Sequence, residues 1–440
     1  MKSTAGILVL FLLLAAAAGC GKNGGAEPKA DGGAASTDGR KEKIVLRMAT
    51  WETGESSKSV FEIAKKSFEA KHPHVTVKIE ETQYDNYKTK LQTLIAAGDA
   101  PDILQVGEGD FNGYMRKGIV ADLAPFASGS NPVDLNDITP SILEVLDVDG
   151  KIPVIPIGAA TFAVFYNKAL FDEAKLPYPT DDWTWEEFAD IAAKLTKTEN
   201  GKTVQYGTTM PTGANNVEIL AMGNGGGFVT GDGQQAKGAL DSEQTVEAVE
   251  WLARLFKSKA APSPAELSAM KGIDLFGTGK VAMSIDGNWG IASKAGNPDL
   301  KFGVVGLPHF ANGTKANLLY SSGFAMGSKT KHPQEAWDFI RELCWADTEA
   351  GKEWAKYQLV VTQSLAASSK QDQDPYMGVF IRQLEHVKTS AYFKNPNWFS
   401  VNSKYIDPAV EDIILNGADV RQALSDAAEK IDNELSQAAK

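Results

Sequence analysis

The 440-residue chain has only two cysteines, Cys20 and Cys344, so no disulfide framework can organise it. Its five histidines are scattered, and the close pair His72-x-His74 flanks Pro73, where solvated side chains are expected rather than metal ligands. Positive charge is in deficit: 44 Lys and Arg stand against 56 Asp and Glu, a net −12. Nucleic acid and anionic lipid both call for a basic surface, so neither is an expected electrostatic partner. Signatures of chemistry are missing too. Gly277-Thr-Gly-Lys280 runs into Val281 and forms no phosphate loop, and neither H-E-x-x-H nor G-x-S-x-G occurs. Ser328-x-x-Lys331 lacks the S-D-N and K-T-G that accompany it in β-lactamases. No catalytic residue, metal or cofactor is therefore expected.

The N-terminus carries a specific signal. Lys2 precedes the apolar run 7–18, which is too short to span a bilayer, and Ala17-Ala18-Gly19-Cys20 follows. This resembles the lipobox of bacterial lipoproteins, which implies a signal peptide over 1–19 and lipidation of Cys20. An ordinary secretory leader with Cys20 incidental is the alternative. Residues 20–43 are Gly, Ala, Asp, Ser and Lys without apolar periodicity, the composition of a flexible tether. Cys344 falls in a helical pattern and is expected as a small buried hydrophobe.

From residue 44 the pattern is α/β. Apolar runs predict strands over 44–48, 75–79 and 102–106, separated by helical periodicities ending near 71 and 97, a βαβαβ unit with parallel strands. Further strands are expected over 151–157, 162–166, 281–285, 302–307 and 324–327. Thr184-Trp-Glu-Glu187 and Ser263-Pro-Ala-Glu266 read as capping boxes, Asp241 as the cap of a helix to 256, and Pro333 as the first turn of a helix to 345.

The theme that repeats is a strand followed by a loop holding an aromatic or a carboxylate beside Gly or Asn. Gly107-Glu-Gly-Asp-Phe-Asn-Gly113 is the richest of these, expected as a loop at the carboxyl end of its strand, where open α/β sheets bind ligands. Trp51-Glu52, Asp286-Gly-Asn-Trp289, Tyr320-Ser-Ser-Gly323 and Pro396-Asn-Trp-Phe399 are the others. Aromatic faces beside Asp, Glu and Asn suit a sugar, whose C–H face packs on the ring while its hydroxyls are hydrogen-bonded. The candidate ligand-binding set is Trp51, Glu52, Tyr84, Glu108, Asp110, Phe111, Asp286, Trp289, Tyr320, Ser322 and Trp398.

The ordered set of Gly98-Asp-Ala-Pro-Asp102, Phe165-Tyr-Asn-Lys168, Thr184-Trp-Glu-Glu-Phe188, Phe276-x-x-Gly279-Lys-Val-Ala-Met283, Gly287-x-Trp289 and Ala336-Trp-Asp-Phe-Ile340 resembles the family 1 extracytoplasmic solute-binding proteins of ABC importers, the sugar-binding family that includes maltose-binding protein. The resemblance implies a two-lobed, periplasmic-binding-protein-like α/β fold with hinge strands. The first lobe would take 44–155 plus 304–365, and the second 156–303 plus 366–440. It also implies a monomer that binds a carbohydrate between the lobes and hands it to permease subunits, tethered through Cys20 to the outer face of a Gram-positive plasma membrane. Two other readings stay open: the same fold binding a non-sugar such as a polyamine, which the acidic loops would suit, and a secreted glycosidase with paired carboxyls.

Overall fold

The computed structural model describes residues 42–230, 233–311, 314–388, 390 and 401–438; Cys20, the tether up to residue 41 and Trp398 lie outside them. Among the described residues, ten strands form two five-stranded sheets, each with its own core. The first sheet has the order β2-β1-β3-β10-β4, built from β1 (Ile44–Thr50), β2 (Val75–Glu81), β3 (Ile103–Gly107), β4 (Ile155–Ala160) and β10 (Tyr320–Met326). The expected parallel unit is present: β1 pairs in parallel with β2 and β3, crossing over through α1 (Glu55–Lys71) and α2 (Tyr84–Ala96). Alternation buries Ile44, Leu46 and Met48 against Val60, Phe61, Ala64 and Phe68 of α1.

The far side of this sheet departs from a simple crossover pattern. Strand β10 runs antiparallel between β3 and β4, with Ser322 opposite Gly107 and Tyr320 opposite Ala160. It presses so closely on β4 that a Cβ at Gly323 would collide with the Ile155 carbonyl, so only glycine fits there. Tyr320-Ser-Ser-Gly323, expected as a loop, is thus the first half of a strand.

The second sheet has the order β6-β7-β8-β5-β9, with β5 (Phe162–Asn167), β6 (Lys197–Glu199), β7 (Lys202–Thr209), β8 (Val281–Gly287) and β9 (Phe302–Val305). Strands β6 and β7 escape the sequence reading because their Lys, Thr, Glu and Gln give no apolar run. Only the buried Thr161 separates β4, in one sheet, from β5, in the other. The boundaries expected at 304 and 366 are less sharp than the two sheets: β9 joins the second, while Met377, Val379 and Phe380 pack in the first core.

Local signals mostly behave as written. Both capping boxes form, at Thr184 with Glu187 and at Ser263 with Glu266. Ser242, not Asp241, caps helix Glu243–Lys257; the Asp241 carboxylate turns back to accept the Gly238 N–H. Cys344 is buried at the end of helix Pro333–Cys344, and desolvation pushes its thiol well above the usual range. His72 stacks on Phe68 with ring centroids 4.5 Å apart.

Candidate functional site

The segment after β3 is a helix, not the expected loop. Helix α3 covers Glu108–Arg116, with Glu108 and Asp110 in its first turn, where carboxylates complement the unpaired N–H groups. Phe111, Tyr114 and Met115 form its buried face. This corrects two expectations at once. The glycines suggested irregular backbone, yet three apolar residues at helical spacing outweigh their cost. Phe111 is only 1% exposed and belongs to the first core, so its ring has no face for a ligand.

The other first-sheet residues are organised by one side chain that the sequence reading passed over. Gln105 is fully buried in β3. Its oxygen accepts from the Thr50 hydroxyl at 2.6 Å and the Trp51 N–H at 3.2 Å. Its amide nitrogen donates to Glu52 at 3.4 Å and to the Ser322 hydroxyl at 3.3 Å. The end of β1, the end of β3 and β10 are therefore held by a single amide. A lone polar residue inside Ile103-Leu-Gln-Val-Gly107 is the signal that could have revealed it, because a buried amide must find partners. Trp51 stands edge-on to Tyr84 and Tyr87, with centroids 5.7 and 5.1 Å away, and Tyr84 is 70% exposed at the start of α2.

The carboxylates divide into two kinds. Desolvation raises Glu52 above its ordinary value, against the lowering effect of the Gln105 hydrogen bond. Desolvation likewise pushes Glu108 up to about 7, although it accepts from its own N–H and from the Ser321 N–H at 3.0 Å; Asp110 adds to the rise. The aspartates, in contrast, each hold a lysine. Asp110 pairs with Lys88 of α2 at 3.0 Å, and Asp286 with Lys294 at 2.8 Å. Burial lowers Lys88, with the Asp110 pair opposing.

On the second sheet, Asp286 and Trp289 stand at the end of β8, before helix Gly290–Ala295. The indole folds across Gly287, where any Cβ would collide with it. It remains 45% exposed, held edge-on by Phe162 and by Tyr320 with centroids 5.7 and 6.3 Å away. Lys294 is nearly buried beneath Asp286, its ammonium 4.2 Å from the Phe165 ring centroid and 5.6 Å from that of Phe276.

Tyr320 joins the two groups. It packs on Phe162 and Trp289 of the second sheet, while its neighbour Ser321 donates to Glu108 on the first. Nearby, Lys271 reaches from beyond helix Pro264–Ala269 to Asp85 of α2 at 3.2 Å. Of the expected set, the structure thus assembles Trp51, Glu52, Tyr84, Glu108, Asp110, Ser322, Tyr320, Asp286 and Trp289 around the junction of the sheets. The exposed Tyr84 and Trp289 stand there with hydrogen-bonding carboxylates and hydroxyls. Such an arrangement can bind a polyhydroxylated ring by stacking and hydrogen bonding. Among the described residues no His, Cys, Asp and Glu cluster could hold a metal ion, and no helix is long and apolar enough to cross a membrane.

Residues 51–343 match the family described as bacterial extracellular solute-binding protein. Among curated relatives, a Brucella abortus binding protein is 26% identical over 396 residues, covering 88% of this chain and 92% of that protein. The maltodextrin-binding protein of Bacillus subtilis is 27% identical over 307 residues, 69% of each. Among solved structures, an ABC substrate-binding protein of Listeria monocytogenes in complex with cycloalternan superposes with a TM-score of 0.81 at 26% identity, covering 90% of this chain and all of that one.

Proposed function

Because the chain belongs to the bacterial extracellular solute-binding proteins, we propose that its site captures a sugar or oligosaccharide for an ABC importer. One observation carries this reading. Trp289 presents a half-exposed indole that two aromatic rings hold upright, with the Asp286 carboxylate three residues before it. A large apolar face kept in water beside a hydrogen-bond acceptor is what a sugar ring needs and what a folded core does not. Proteins of this family that resemble the chain are named for maltodextrin and galactooligosaccharide binding, and solved neighbours hold mannotriose and cycloalternan.

The two sheets with their cores act as lobes, and Thr161 and β10 lie at the hinge between them. Ligand stabilises the closed arrangement because only there do both lobes touch it. The protein performs no chemistry on its ligand, works as a monomer and passes the sugar to permease subunits. Lipidated Cys20 and the tether that follows it hold the domain on the outer face of the plasma membrane. A thermal-shift panel of mono- and oligosaccharides tests the reading, since a tight ligand raises the melting temperature by mass action. With a binding sugar in hand, X-ray scattering should show compaction on saturation. A panel without a single shift would overturn the sugar assignment.

A further inference from the structure

We propose that Lys88 and Lys294 are specificity-determining residues that mask the two aspartates of the site and so turn away cationic ligands such as polyamines and amino sugars. This rests on the reading of the same cleft as a sugar site and narrows its ligand to an uncharged one.

From the sequence, Glu52, Glu108, Asp110 and Asp286 make the cleft look anionic and suited to a polycation. The structure sets a cation against two of these four carboxylates. Asp110 already accepts from the Lys88 ammonium at 3.0 Å, and Asp286 from that of Lys294 at 2.8 Å. Glu108 is engaged by the Ser321 N–H and Glu52 by the Gln105 amide, both neutral donors. A ligand ammonium approaching either aspartate would meet a lysine of like charge directly behind it, and at such distances repulsion cancels most of the attraction. A hydroxyl carries no such conflict, because it can donate to the free lone pairs of an aspartate that remains paired.

The placement of Lys294 speaks for a role in the site. Its side chain is about nine-tenths buried on the faces of Phe165 and Phe276, while the Asp286 carboxylate above it is 30% exposed. An ammonium in such a place is costly unless it is paired, and Met would fill the same space without that cost. What Met cannot do is neutralise Asp286. Lys88 pairs with Asp110 from the second turn of α2, with 31% of its side chain exposed.

The test uses the full chain with Lys88→Met and Lys294→Met, alone and together, and spermidine as the probe in titration calorimetry. The double variant is expected to bind spermidine about tenfold or more tightly than the unaltered protein, and adding Asp110→Asn with Asp286→Asn should abolish the gain. A purely structural role for the lysines would alter melting temperature without this gain and its reversal. If Lys294→Met does not fold, Lys88→Met, at the less buried of the two lysines, decides alone, with about a threefold gain expected. Native melting with unchanged spermidine affinity overturns the proposal. The sugar panel on the unaltered protein is a separate arm: its failure beside a spermidine gain would remove the sugar reading and leave the masking intact.

Discussion

The Trp289 indole meets the Phe162 ring edge to face, with centroids 5.7 Å apart and planes at 80°. Phe162 belongs to the second core, so the contact anchors the indole while the residue stays 45% exposed. Trp289→Ala should leave the ligand-free melting temperature within a few degrees, because the side chain lies at the margin of the second core with 45% of the residue exposed. Sugar affinity should fall by about five- to 150-fold, the equivalent of roughly 1–3 kcal/mol of stacking area. A large loss of melting temperature with near-normal affinity would place the indole in the core.

Glu108 gives the fold a pH dependence whose sign is fixed. Its ordinary value is 4.5, and in the folded protein desolvation brings it to about 7. Between these values the native state holds a proton that the unfolded chain has released. Stability therefore declines as pH rises through that window, and the loss is complete above about 7. Glu108→Gln keeps an acceptor for the Ser321 N–H and removes the charge. It should gain on the order of 1–3 kcal/mol at about pH 8 and almost nothing at about pH 5. Urea melts at the two pH values check this, and an equal gain at both would deny the shift.

Gln105→Leu tests the amide that ties three strand ends together. Leu keeps the volume but strands the Thr50 hydroxyl and the Trp51 N–H, at about 1–3 kcal/mol each if water cannot reach them. Chemical denaturation should report that loss. Sugar affinity should also fall, since Glu52 and Ser322 lose the donor that orients them. Unchanged affinity in the folded variant would separate these two residues from the ligand.

Cys20→Ser should release the protein from the membrane fraction, and a chain starting at Lys43 should fold and remain soluble. Fractionation and circular dichroism measure the two outcomes. Aggregation of the shortened chain would make residues 21–42 part of the fold.

Much of this architecture can be read from residue patterns that act locally. The βαβαβ unit and both capping boxes follow from periodicity and from turn and cap chemistry. What escapes are relations between distant segments. Nothing in Tyr320–Met326 says that it enters between β3 and β4, because pairing is written in no single strand. The partners Lys88 and Lys294 are equally silent, since the distances that join them to Asp110 and Asp286 exist only after folding. Helix α3 was obscured for another reason: its glycines speak for a loop, and only the burial of Phe111, Tyr114 and Met115 outvotes them.

The place of β10 also sets a schedule for the chain. Ser321 and its partner Glu108 are 213 residues apart, and the strand that carries Ser321 fills the gap between β3 and β4. Until that late segment arrives, the first sheet has two open edges and its core lacks Phe324 and Met326. Closing so long a loop is slow, so a nascent chain cannot complete its N-terminal half while its middle is still being made. For a protein of an extracellular family such a delay suits export, because the strand that completes the first sheet, Tyr320–Met326, lies in the last third of the polypeptide.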